Sequence, residues 1–234
     1  MKQMMILCLS MMSLSAFAAG TEEVPLSVNH LFVVENGFDS NDNVEVIIAG
    51  FLPDTCHKLG HTSAVVDRSS KKISIEATAY VEKGRSCLQV RTPFLESIPV
   101  GLLEAGRYHV ELSDGSALAA YMQVDQSYTP SQDNELYAPV KSLQLSYDKS
   151  KLLLKGDYPY VLDGCMRVRE VKTYVSGQIL VVLPIVEFVR DDSLCENKAE
   201  REFTIEVDID PSLGFESLAY IRTASGRSQS LMIR

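Results

Sequence analysis

Gly50-Phe51-Leu52-Pro53-Asp54-Thr55-Cys56 has a counterpart 106 residues further on, Gly156-Asp157-Tyr158-Pro159, which leads in turn to Cys165. In both places a glycine, two residues and a proline precede a cysteine. A second cysteine then follows at nearly the same distance: Cys87 lies 31 residues after Cys56, and Cys195 lies 30 after Cys165. An aromatic residue comes next (Phe94, Phe203), then a tyrosine (Tyr108, Tyr220), then a turn glycine (Gly115, Gly226). The matched positions stay 106 to 112 residues apart throughout. A constant offset of that size predicts the internal duplication of a domain of about 100 residues, large enough to bury a core of its own. The predicted organisation is a signal peptide over 1–18, a first repeat over 19–127, a linker over 128–136 and a second repeat over 137–234.

Around this framework strand signals are frequent and helix signals few. Ile73, Ile75, Ala77 and Ala79 alternate with polar residues or Tyr80, as do Tyr108, Val110 and Leu112, and Phe203, Ile205, Val207 and Ile209. A period of two places each apolar set on one face of a half-buried sheet. Further strands are expected over 26–34, 44–49, 88–91, 117–124, 140–146, 151–155, 166–174, 179–188, 218–222 and 228–233. Turn material such as Asn36-Gly37, Asp114-Gly115 and Ser225-Gly226 separates them. Short helical turns are expected over 97–104 and 211–215. Many short strands in a unit of this length predict an all-β chain of two tandem β-sandwiches of the immunoglobulin-like kind. The resemblance is one of architecture. Immunoglobulin domains space their cysteines more widely and pack a tryptophan on the bond, and this chain has no tryptophan.

The N-terminus reads as a secretory signal: Lys2, a short apolar run over 4–14, and the small-x-small pattern Ala16-Phe17-Ala18. Cys8 sits too early in that run to serve as an acylated lipoprotein cysteine. No later segment is long and apolar enough to anchor the chain; 179–189 is the most apolar, but Pro184 and Glu187 interrupt it and it is strand-sized. Removal of the signal leaves four cysteines, and an even count in an exported chain reads as disulfides. Four cysteines allow three pairings. The duplication selects Cys56–Cys87 and Cys165–Cys195, each within its own repeat.

The chain carries a net charge of −9, and the first repeat holds 15 acidic against 8 basic residues. That balance argues against nucleic acid and anionic membrane surfaces as partners and is compatible with a cationic one. His57 and His61 stand four apart beside Cys56, a metal-chelating spacing on a helix. On a strand they would lie about 13 Å apart, too far to share an ion. His30 and His109 could add ligands only if the fold brought them close, so a surface loop is the expected setting. The stretch Asp39-Ser40-Asn41-Asp42-Asn43-Val44-Glu45 resembles the start of a calcium loop but lacks its glycine and closing glutamate, and reads as a polar turn. Asp191-Asp192, Asp208 and Asp210 read as solvated turns, Glu200 and Glu202 as an exposed strand face, and Tyr108 and Tyr220 as structural tyrosines. No nucleophile–base motif is present. The expected function is that of an exported, periplasmic or extracellular, non-catalytic module that needs no cofactor. It would recognise a protein or envelope component. The alternatives are an assembly chaperone similar in plan to periplasmic pilus chaperones and a metal-dependent enzyme using the first-repeat histidines.

Overall fold

The computed structural model describes residues 20–131, 133–158, 165–189, 202–224 and 226–233, with side chains given for all of these except Cys165. The signal peptide, Cys195, Asp191, Asp192 and Glu200 lie outside the described residues. The described chain is all-β, and none of it forms a helix long and apolar enough to cross a membrane.

Four sheets follow one another. The first contains β1 (Thr21–Pro25), β3 (Phe38–Asp39), β5 (His57–Asp67), β6 (Lys72–Glu82), β8 (Gly106–Leu112) and β9 (Ala119–Asp125). The second contains β2 (Val28–Phe32), β4 (Val44–Leu52) and β7 (Thr92–Gly101). The third contains β12 (Cys165–Ser176), β13 (Ile179–Val189), β15 (Ser217–Arg222) and β16 (Ser228–Ile233). The fourth contains β10 (Val140–Leu145), β11 (Lys151–Asp157) and β14 (Glu202–Asp208). The first and third sheets share one scheme. A hairpin (β5–β6, β12–β13) pairs in parallel with the first strand of a second hairpin (β8–β9, β15–β16). The immunoglobulin arrangement is antiparallel throughout, so this central parallel pair sets the topology apart.

The glycine that opens each cysteine motif acts at the same point in each half. Gly50 lies between Val28 on β2 and Phe94 on β7, and Gly156 lies between Val140 on β10 and Phe203 on β14. A Cβ on Gly50 would meet the Phe94 ring at 2.8 Å and the Ser27 carbonyl at 2.9 Å. On Gly156 it would meet the Phe203 ring at 2.5 Å and the Pro139 carbonyl at 2.3 Å. Only glycine lets the ring lie across the strand and the neighbouring backbone approach this closely.

Disulfide Cys56–Cys87 closes with its Cα atoms 5.5 Å apart, joining the turn before β5 to the segment between β6 and β7. Cys165 begins β12, and its pairing with Cys195 falls outside the described residues.

The cores explain the sequence patterns. β14 shows a single buried face, with Phe203, Ile205 and Val207 inward and Glu202, Thr204, Glu206 and Asp208 exposed. β13 is apolar at nearly every residue because both its faces are covered. Ile179 and Val181 join the core of the first two sheets, while Leu180 and Val182 join the core of the fourth. β15 divides in the same way, Leu218 and Tyr220 to one side, Ala219 and Ile221 to the other. β4 is buried on both faces too, and its Glu45 reaches Ser228 on β16. The layers therefore run first, second, third, fourth, and the two halves share a core along the seam between the second and third sheets.

Four local expectations change. His57 to His61 lie on strand β5 rather than in a surface loop. The 97–104 segment is no helical turn: Phe94 and Ile98 alternate into the core and β7 pairs with β4 along its length. Residues 88–91 form no strand but an exposed approach to β7, tied by Leu88 to Thr55. The 211–215 window is a turn, with Glu216 in a left-handed conformation (φ 67°).

Candidate functional site

The seam carries the most buried charges among the described residues. It begins with a turn between β3 and β4. Asp39 accepts from the Asn41 amide at 2.8 Å, and Asp42 Oδ2 accepts from the Asp39 amide at 2.8 Å, so short polar side chains fold the loop back on itself. That leaves Asp42 Oδ1 facing the second half, where Arg222, the last residue of β15, places Nη2 at 2.9 Å. The stretch that resembles a calcium loop thus presents its carboxylate to a guanidinium.

Arg222 is held on every side. Its Nη1 lies 3.6 Å from Asp133 Oδ1 and donates to the Tyr137 hydroxyl at 3.3 Å. Its guanidinium lies 5.0 Å from the Phe38 ring centre and 5.5 Å from that of Tyr137. Side-chain exposure is 13% for Arg222 and 6% for Asp42, so this is a desolvated pair whose members depend on each other. Burial pushes the Asp133 carboxyl up to about 6 against the pull of Arg222, and the neighbouring Asp42 and Asp39 add to the rise. Burial likewise raises the phenols of Tyr137 and Tyr174.

Further bonds close the seam. Glu45, 5% exposed, accepts from the Ser228 amide at 3.0 Å and from its hydroxyl. The Tyr174 hydroxyl donates to the Asn36 carbonyl at 3.0 Å, directly over Gly37, where a Cβ would come within 2.2 Å of that hydroxyl. The Glu35 amide donates to Ser176 Oγ at 3.0 Å. The 128–136 stretch is itself tied down: Asn134 donates to Asp39, Asn41 donates to the Thr129 carbonyl, and Glu135 pairs with Arg169.

Beside Arg222 the seam opens into a cleft of about 450 Å3. Its walls include the aromatic rings of Phe38, Tyr128, Tyr137 and Tyr174 and the carboxylates of Asp39, Asp42 and Asp125. Tyr128 stands at the rim, 95% exposed.

The histidines occupy separate places. His57 Nδ1 lies 2.6 Å from Asp54, whose carboxyl this bond holds below its usual range. His61 sits in a bulge on the same strand, where its amide donates to Thr78 Oγ1. His30 on β2 faces Glu216, and His109 on β8 faces Glu111 and Tyr121. Among the described residues the only group of three possible metal ligands within mutual reach is Asp54, Cys56 and Cys87, and both sulfurs there are spent in the disulfide. Tyr108 donates to the Glu104 carbonyl at 3.1 Å, the structural role its position suggested. Tyr220 instead packs edge-on against Phe38 at the seam. The cleft itself was invisible in the sequence, because Asp42, Asp125 and Arg222 are far apart along the chain.

A family model described as the ORF11 beta-sandwich domain matches residues 46–119, from within β4 to the first residue of β9. No curated protein and no solved structure matches the chain.

Proposed function

We propose that this chain is an exported, non-catalytic binding module of the cell envelope, built from two tandem β-sandwiches that arose by duplication and are immunoglobulin-like in their layered plan but not in their strand pairing. It would recognise a protein or surface component through the seam cleft. The observation that carries the reading is that cleft: aromatic rings and carboxylates on a frame fixed by a shared core and buried ion pairs. Such a set binds and orients a ligand, and its one described guanidinium is already engaged. Two things support the duplication, the recurrent valine–glycine–phenylalanine ladder and the common pairing scheme of the first and third sheets. Export draws support from the disulfide, which persists in oxidising compartments. Strand addition along β12 is disfavoured, because a bulge between Val168 and Glu170 and the charges of Arg167, Arg169 and Lys172 blunt that edge.

The test is photo-crosslinking in intact cells. A crosslinking residue at Tyr128 is expected to capture a discrete partner. The same residue at Tyr147, fully exposed but remote from the cleft lining, is expected to capture none. Equal labelling from both positions, or none from Tyr128, refutes the assignment.

An assembly chaperone that anchors a client's carboxylate is a second reading, favoured by the presence of Arg222 in the cleft. Asp42 and Asp133 weigh against it, since a client carboxylate would have to displace them. Co-purification of a client that is lost on Arg222→Gln, with the fold intact, would support it.

A further inference from the structure

We infer that the seam cleft takes a lysine side chain presented by a partner protein, an inference that rests on the binding role proposed for the same cleft. Arg222 shows what the local chemistry accepts, a cation seated between two aromatic rings and against carboxylates. That internal cation answers Asp42 and Asp133. It leaves Asp39 and Asp125 unanswered.

These two acids are direct cross-strand partners on β3 and β9. Asp39 also holds its own turn, but two carboxylates placed side by side repel each other, and nothing in the turn calls for a second acid at 125. Their recorded partners are neutral. Asp39 accepts from the Asn41 amide and from Asn134 Nδ2, and Asp125 only from Gln123 Nε2 at 3.5 Å. Among the described residues no lysine or arginine lies within ion-pair distance of either. Both line the cleft, together with the exposed Tyr128. A cation entering there meets two carboxylates without a cationic partner and aromatic side chains, the two kinds of group that stabilise an ammonium as it leaves water. The volume of about 450 Å3 admits a single extended side chain and not a folded element.

The test uses the full-length exported chain and fluorescence anisotropy of a labelled Gly-Lys-Gly-Lys-Gly peptide. Saturable binding that weakens with salt is expected, with none for the Gly-Glu-Gly-Glu-Gly counterpart. Asp39→Asn with Asp125→Asn is expected to weaken binding about tenfold, which is about 1.4 kcal/mol for the two partly exposed ion pairs together. Asp125→Asn alone, which disturbs only the long Gln123 contact, is expected to weaken it about threefold with the unfolding midpoint unchanged. Glu76→Gln with Glu202→Gln removes the same charge away from the cleft and is expected to leave binding intact. No saturable binding, equal loss in the remote variant, or no loss in either Asp125 variant overturns the inference. So does tighter binding of free putrescine than of the peptide, which would assign the site to a small amine. A Tyr128 crosslink to a partner together with failure of the lysine peptide would overturn the ligand class and leave the binding role standing.

Discussion

Separating the two halves tests the shared core most directly. Ile179, Val181, Leu218 and Tyr220 are 0–3% exposed in the whole chain, and they belong to the second half while packing into the core of the first. Expressed alone, 137–234 would expose all four. At about 1.5–3 kcal/mol for each buried apolar side chain, the loss is about 6–12 kcal/mol, an upper estimate because unfolded chains already bury some surface. A domain of this size holds only about 5–15 kcal/mol in total. The second half alone is therefore expected to lack a cooperative urea transition, and to recover one when 19–136 is added. The first half is uncovered along one face of β4 as well, but both its sheets and its disulfide remain, so it is expected to keep a weakened transition. The assay is circular dichroism against urea for each fragment, produced in an oxidising compartment, and for their mixture. If 137–234 alone unfolds at the midpoint of the full chain, the seam contributes nothing and the reasoning fails.

Asp42→Ala leaves Arg222 buried without its closest carboxylate and is expected to destabilise by about 3–5 kcal/mol, with Arg222→Met restoring much of it in the double variant, read by urea unfolding. The raised Asp133 carboxyl binds its proton more tightly in the folded than in the unfolded chain. Stability should therefore fall as pH rises from about 4 to about 6, and Asp133→Asn should flatten that fall in a series of thermal midpoints. Opening the 31-residue Cys56–Cys87 loop with serines is expected to cost about 3–4 kcal/mol. Non-reducing peptide mapping is expected to recover Cys165 with Cys195, and a peptide joining either to the first half would contradict the repeat.

Strands with one wet face were legible in the sequence. β14, β6 and β8 alternate because water covers one side of each, and period two survives in the residues. β13 was legible as a strand but not as an interface, since burial on both faces erases the alternation that would show which side meets what. β5 was missed because its face is only half buried and a bulge at Gly60-His61 breaks its period. β7 was misjudged because Glu96, Ser97 and Pro99 dilute its pattern, while its pairing with β4 is set by residues some fifty positions earlier. At the site, the turn chemistry of Asp39 to Asp42 could be read locally. Its cation could not, because nothing near Arg222 in sequence marks it as the residue that would reach back to the first half.

The third sheet, with a core on either face, also limits how the molecule can grow or move. A string of independent modules flexes at its linkers and can be lengthened by further copies. Here β4 and β13 have no free face, and at the far side of the fourth sheet Glu202, Thr204, Glu206 and Asp208 give β14 a polar outer face. Such polar terminal faces are what stop a stacked repeat from adding units. A core shared across the seam resists hinging between the halves. A ligand of the proposed site would then pay little entropy for ordering the receptor.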